Sequence, residues 1–231
     1  YLVKKLKRRR VYLAHISHVL NEGCKFAIDY CKRKRINFNY IGTLDADIIL
    51  KKDYYKRLIT KCEKYSNIGI ASGVISSIVK GKRKREKTDL SFPRGAIRII
   101  RKECYLDIGG IPLVDYSFDT VTCVKAKLRR WKTQSFPEIH ATQIRPTSTA
   151  IGMWRGYKWR GENDHYLGYN PIFALLKGVI YFVRNPKKGI AFFYGYTRRT
   201  VLMKRKIEDK KIRNYFFYTK IIEKVENVFA R

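Results

Sequence analysis

The chain has 231 residues, 45% hydrophobic and 14% aromatic, which is enough apolar content for a buried core and too much for a disordered segment despite 30% charged residues. Its 51 Lys and Arg outweigh 19 Asp and Glu, and the formal net charge of +32 directs it toward polyanions: nucleic acid, anionic lipid or phosphorylated substrates. Five scattered cysteines (Cys24, Cys31, Cys62, Cys104, Cys123) form no C-x-x-C pair, which argues against a zinc ribbon or disulfide framework and for reduced, buried thiols in a cytoplasmic setting.

The basic start, residues 1–10, lacks the apolar run and small-residue cleavage site of a signal peptide. No uninterrupted apolar stretch reaches the roughly 18 residues of a spanning helix. The longest candidates are 172–183, broken by Lys177, and 190–197.

In chain order, residues 11–16 read as the start of a strand or helix, followed by a break at Asn21-Glu22-Gly23. Cys24, Ala27, Ile28 and Cys31 then recur at helical spacing and predict a helix over 24–33. Residues 38–44 read as a strand that leads into Asp45 and Asp47. A second amphipathic helix is expected over 51–65, with Asp53 at the positive end of its dipole. Residues 68–79 are apolar and β-branched and predict a strand; 80–87 form a basic loop at its tip. Residues 94–101 alternate arginine with apolar side chains, as a strand would. A short helix over 103–108 should end at Gly109-Gly110, since glycine is the usual left-handed cap. A third helix spans 118–131, and a last strand, 133–139, closes at Pro137. Strands alternating with helices predict an α/β fold with a mostly parallel sheet flanked by helices. In such sheets ligands sit beyond the carboxyl ends of the strands, where Asp45 and Asp47 fall.

After about residue 150 the character changes. Residues 153–161 interleave aromatics with cations, 171–183 and 189–203 read as apolar helices edged with Lys and Arg, and 204–231 as a charged amphipathic helix pair. Residues 1–150 are therefore expected to form one domain and 151–231 a basic, aromatic-rich helical extension.

Asp45 and Asp47 stand one residue apart, and on a strand such side chains share a face. Two carboxylates aimed at one point call for a hard cation, Mg²⁺ or Mn²⁺. Aspartates also collect in turns after strands because they bond their own backbone, and this reading stands beside the first. Asp119, four residues after Asp115, falls at the start of the third helix, where it is either an N-cap or a general base. His140, Gln143 and Arg145 follow the last predicted strand. His140 is a candidate ligand and equally a packed or surface residue. No phosphate-binding loop, dinucleotide fingerprint, nucleophile elbow or zinc helix occurs.

Taken in order, L-D-A-D at 44–47, S-G-V at 72–74, R-G-A-I-R-I-I-R-K-E-C at 94–104, I-G-G-I-P at 108–112, F-D at 118–119 and I-R-P-T at 144–147 resemble family 2 glycosyltransferases of the GT-A (Rossmann-like) fold. The resemblance covers residues ~11–150. It implies that Asp45 and Asp47 hold a divalent cation on the diphosphate of a nucleotide sugar, that Asp119 deprotonates an acceptor hydroxyl, and that Gly95 and Ala96 line the sugar and acceptor site. Arg94, Asp115, Gln143 and Arg145 join the expected donor and acceptor contacts, and His140 the metal ligands. Several features depart from the family pattern. Phe118 replaces an acidic neighbour of the base, Gln143 stands where many members have histidine, and no Q-x-x-R-W signature is present, which favours transfer of a single sugar. The family's first nucleotide-binding strands have no counterpart after residue 1, so the resemblance implies an N-terminally truncated enzyme. The implied acceptor is a glycan or lipid-linked saccharide. The extension's Trp, Tyr, Lys and Arg suit peripheral contact with the inner face of the cell membrane. The competing expectations are a basic nucleic-acid-binding module, supported by charge and by the aromatic–cation interleaving at 154–160 but by no recognisable motif, and a catalytically inactive GT-A-like protein.

Overall fold

The first helix, α1 (Ala14–Arg33), runs straight through the break predicted at Asn21-Glu22-Gly23. Leu20, Cys24 and Ile28 form one stripe that packs on Ile70, Ile100 and Cys104, and Ser17 and Asn21 are buried beside it. Packing of that stripe outweighs the roughly 1 kcal/mol that a mid-helix glycine costs. The computed structural model describes residues 14–79, 82–85, 89–144, 152–220 and 222–223, and the chain divides into two compact units, Tyr1–Pro146 and Thr147–Arg231.

In the first unit α1 is followed by β1 (Tyr40–Gly42), β2 (Ile48–Leu50), α2 (Tyr54–Lys64), β3 (Ile68–Val79) and β4 (Lys82–Arg85). A 3₁₀ turn at Gly95–Ile97 then leads into β5 (Arg98–Arg101), α3 (Lys102–Asp107), α4 (Phe118–Leu128) and β6 (Lys132–Gln143). As expected, α3 ends at Gly109 and Gly110, both with positive φ, whose N–H groups bond the carbonyls of Leu106 and Tyr105.

The strand order is β1-β5-β3-β6-β2, with β4 paired to β3. Among the described residues only β3 and β6 pair in parallel; the other four pairings are antiparallel. The sheet is therefore mixed, which corrects the expectation of a mostly parallel one. Alternation of strand and helix along a chain does not set strand direction. β3 and β6 are joined through two helices and can run parallel, whereas β5 returns antiparallel between β3 and β1, a reversal that needs no helical crossover.

β6 also overruns its predicted end at Pro137. Ser72 pairs with Ser135 and Val74 with His140, so an irregularity absorbs the residues around Pro137. A proline has no N–H to give a ladder and is tolerated at such a bulge.

Alternation along the strands sends side chains to two helical layers. Ala71, Ile75, Ile99, Ile139 and Ala141 pack with Tyr54, Leu58 and Cys62 of α2. Ile70 and Ile100 face the other way, onto Cys24 of α1, Cys104 and Tyr105 of α3, and Cys123 and Ala126 of α4. Four of the five cysteines are buried and all are free; burial pushes the Cys104 thiol up to about 12 and Cys62 to about 11.

The second unit holds α5 (Met153–Leu167), α6 (Pro171–Arg184), α7 (Pro186–Val201), the short α8 (Lys210–Asn214) and a π-type turn at Tyr215–Thr219. α5 and α7 touch backbone to backbone: a Cβ added to Gly161 would lie 2.1 Å from the Phe192 carbonyl oxygen, and one added to Gly195 2.1 Å from that of Lys158.

Candidate functional site: three carboxylates at the strand ends

β1 and β2 are neighbours in sequence but lie at opposite ends of the strand order, so residues 43–47 cross the end of the sheet between them. The crossing is tied down at both sides. Thr43 N–H bonds the Arg98 carbonyl at 2.9 Å and Asp45 N–H the Ala96 carbonyl at 3.0 Å, extending the β1–β5 ladder past Gly42. The Thr43 hydroxyl donates to the Gly95 carbonyl at 2.7 Å. At the other side Ile144 N–H bonds the Asp47 carbonyl at 3.0 Å, and Gln143 Nε2 donates to Asp47 Oδ2 at 3.1 Å.

Asp45-Ala46-Asp47 is a turn, closed by an Ile48 N–H bond to the Asp45 carbonyl at 3.3 Å, and not the strand end expected. Strand alternation is therefore not what relates the two aspartates; the turn and its two anchors are.

Asp119 arrives from α4. Ser117, with φ 46° and ψ 45°, turns the chain into the helix, and Asp119 stands in its first turn, near the positive end of the helix dipole. Its Oδ1 accepts the Thr120 N–H at 2.8 Å. The rest of the carboxyl lies against Gly95: a Cβ built there would fall 3.0 Å from Asp119 Cβ and 3.6 Å from Oδ2.

These groups act on one another. The Asp45 carboxyl is held above the usual carboxylate range, first by the water that neighbouring protein removes, then by the charges of Asp47 and Asp119, with Arg94 opposing. Asp45 nonetheless stays accessible to solvent. The site thus draws Asp45, Asp47, Asp119 and Arg94 to one place, walled by Gly95, Ala96 and Gln143. A carboxyl crowded by two further carboxylates in this way suits a hard divalent cation that uses few protein ligands and takes the rest from water and phosphate oxygens.

His140 and Asp115 fall differently. His140 lies inside β6, three residues from Gln143 along a regular stretch, so its side chain leaves the sheet on the opposite face from the one that meets Asp47. Among the described residues no group of three or more His, Cys, Asp or Glu side chains is arranged to hold a metal. Asp115 is half-buried in the loop before α4, and the carboxylates that act on Asp45 are Asp47 and Asp119. Arg145 lies outside the described residues.

Three residues that support the site are absent from the site the sequence predicts. Thr43 is the first. The second, Tyr54, is buried: its hydroxyl donates to the Ile97 carbonyl and accepts the Gly73 N–H, both at 2.8 Å, pinning the 3₁₀ turn to α2 and β3. The third is Arg98, which is fully buried and whose Nη1 donates to the Asp119 carbonyl at 3.2 Å. Its guanidinium lies 5.9 Å from the centre of the Phe118 ring, while Nε and Nη2 have no hydrogen-bond partner among the described residues. A cation in the apolar run Ile97–Ile100 was the available signal, because a buried charge is costly and is kept for a reason.

A mixed sheet between two helical layers is consistent with a GT-A-like fold, and a solved structure carries that likeness. The mannosyltransferase PcManGT from Pyrobaculum calidifontis, solved in complex with GDP-Man and Mn2+, matches with a TM-score of 0.54 over 89% of this chain and 70% of that chain, at 13% identity. GalNAc-T7, solved with UDP, GalNAc and Mn2+, matches with a TM-score of 0.46 over 87% of this chain and 44% of that one, also at 13% identity. A197 from STIV matches with a TM-score of 0.41 over 64% and 75% of the two chains, again at 13% identity. The first likeness establishes the fold; the other two are too distant to add to it. No protein-family model and no curated protein sequence matches the chain.

Proposed function

We propose that the protein is a metal-dependent glycosyltransferase that moves one sugar from a nucleoside-diphosphate sugar to a hydroxyl of a glycan or lipid-linked saccharide, with inversion. One observation carries this reading: carboxylates from two distant segments, Asp45 and Asp47 on the crossing turn and Asp119 on α4, meet beside an arginine and a residue with no side chain. The resemblance to family 2 enzymes agrees with it, as does the GDP-Man and Mn2+ bound by PcManGT.

In this reading Asp45 and Asp47 hold Mg²⁺ or Mn²⁺, with Gln143 orienting Asp47. When bound, the cation neutralises charge on the departing diphosphate. Arg94 offers a second positive group on the same side. Gly95 and Ala96 line the sugar and acceptor side, and the bare backbone of Gly95 leaves room for Asp119. Asp119 takes the proton of the acceptor hydroxyl as its oxygen attacks the anomeric carbon from the face opposite the leaving group, which inverts that centre. A carboxylate suffices because the hydroxyl becomes acidic only as the bond forms.

The test pairs binding with turnover. Mn²⁺ together with GDP or UDP should raise the melting temperature of the protein, and Asp47→Asn should abolish that rise. If neither nucleotide shifts it, and no nucleoside diphosphate is released from GDP- or UDP-sugars with saccharide acceptors, the transferase reading fails.

A further inference from the structure

Helix α6 is built inside out. On the side it turns toward α7, Ala174 and Gly178 are small and buried, a Cβ added to Gly178 would fall 2.4 Å from the Phe193 ring, and Tyr181 meets the Phe192 ring with centroids 5.4 Å apart. Lys177, the cation in the middle of the helix, is also turned inward, with Nζ 2.6 Å from the buried Asp164 and 4.9 Å from the centre of the Tyr169 ring. The large aliphatic side chains face water. Ile172, Leu175, Leu176, Val179, Ile180 and Val183 recur at helical spacing, and each is between 46% and 78% exposed. A helix that packs only to stabilise its own chain would do the reverse, because burying each such side chain is favourable.

The surroundings say what covers this face. Neither α6 nor α7 carries an Asp or Glu. Arg184 and Lys187 are exposed where the stripe ends at Val183, and the chain as a whole is strongly cationic. On α7 the exposed residues Ile190, Tyr194 and Val201 continue the apolar character, and Trp154 lies 6.3 Å from Tyr194. A second copy of the same face would bring cations to cations with no acid on these helices to meet them.

We infer that α6 docks the protein on an anionic lipid surface, lying in the plane of the interface with its aliphatic stripe among the acyl chains and Arg184 and Lys187 at the headgroups. α6 does not span: no helix among the described residues is long and apolar enough to cross a membrane. Its 14 residues extend about 21 Å, short of the roughly 30 Å hydrocarbon core. Both ends of α6 are closed, since the Asn170 side chain accepts the Ile172 N–H and the Asn185 backbone N–H donates to the Tyr181 carbonyl. This surface stands independently of the transferase reading.

The experiment is flotation of the 231-residue protein with vesicles of phosphatidylcholine alone and of phosphatidylcholine mixed with phosphatidylglycerol. Binding is expected to the mixed vesicles, weaker to the neutral ones, and reduced by salt. Leu176→Glu with Ile180→Glu should weaken it at least tenfold while the melting temperature holds, because both side chains are already exposed. Arg184→Ala with Lys187→Ala should weaken binding roughly tenfold on the mixed vesicles only. Absence of binding to either vesicle, or binding unchanged by the glutamates, would overturn the inference. A wild-type dimer that the glutamates dissociate, without vesicle binding, would assign the face to a second copy and overturn it equally.

Discussion

Gly95 and Asp119 are fitted to each other: a Cβ at Gly95 would press on the β-carbon of Asp119 at 3.0 Å and touch its carboxyl oxygen Oδ2 at 3.6 Å. The fit is rigid on the helix side, because Arg98 holds the Asp119 carbonyl from beneath. Gly95→Ala should therefore push the carboxyl aside by a few tenths of an ångström and leave the fold intact. The expected result is a loss of about tenfold to a hundredfold in kcat with little change in donor KM, since small displacements at a reacting centre are that costly. Steady-state kinetics with the melting temperature as control would check it.

Asp119→Asn keeps the shape of the side chain and removes its ability to take a proton. Turnover should fall by roughly 10²- to 10⁴-fold. Binding of Mn²⁺ with a nucleoside diphosphate should persist, measured by calorimetry. A variant that still transfers sugar at the original rate would show that another group is the base.

Asp45→Asn should have the opposite effect on stability and on binding. The folded protein holds the Asp45 carboxyl above its usual range through lost water and the charges of Asp47 and Asp119. A raised carboxylate pKa means that folding favours the protonated form; the stability it contributes is present below the unfolded pKa and lost as pH rises through the folded one. Near pH 7, without divalent cation, the ionised group therefore works against the fold, and the amide should melt higher. Solvent screening limits the gain to about 1–2 °C. With Mn²⁺ and nucleotide present the order should reverse. Scanning calorimetry in EDTA and in Mn²⁺ with GDP or UDP reads both effects.

His165 makes the second unit acid-sensitive. It is buried against Tyr196, its Nδ1 has no hydrogen-bond partner among the described residues, and burial, then Lys206 and Arg199, lower its pKa to about 4. Folding thus favours the neutral ring. Its contribution is complete above the unfolded value near 6.5 and drains away as pH falls toward 4. His165→Leu should flatten the fall in melting temperature over that window while leaving the curve above pH 7 parallel to wild type.

The periodicities of the chain carried much of the local structure. The spacing of Tyr54, Leu58 and Cys62 marked α2, the β-branched run marked β3 from Ile68 to Val79, and Gly109-Gly110 marked the end of α3. The acidic residues of the site were also legible as types in order: a carboxylate pair after a strand and an aspartate opening a helix. Local signals of this kind survive because each depends on neighbours within a few positions of the chain.

What local pattern does not hold is direction, continuity and company. The antiparallel return of β5, the passage of β6 beyond Pro137 and the unbroken course of α1 each depend on a partner far away in sequence. Asp45 and Asp119 share a site because β1 ends and α4 begins on the same side of one sheet, and Gln143 meets Asp47 because β6 lies beside β2. The same holds for α6, whose sequence reads as an apolar helix edged with Lys and Arg and does not say which face is covered. Only its seating on α7 through Ala174 and Gly178 turns the leucines and isoleucines to the outside, since which face of a helix is buried is settled by whichever side packs more closely.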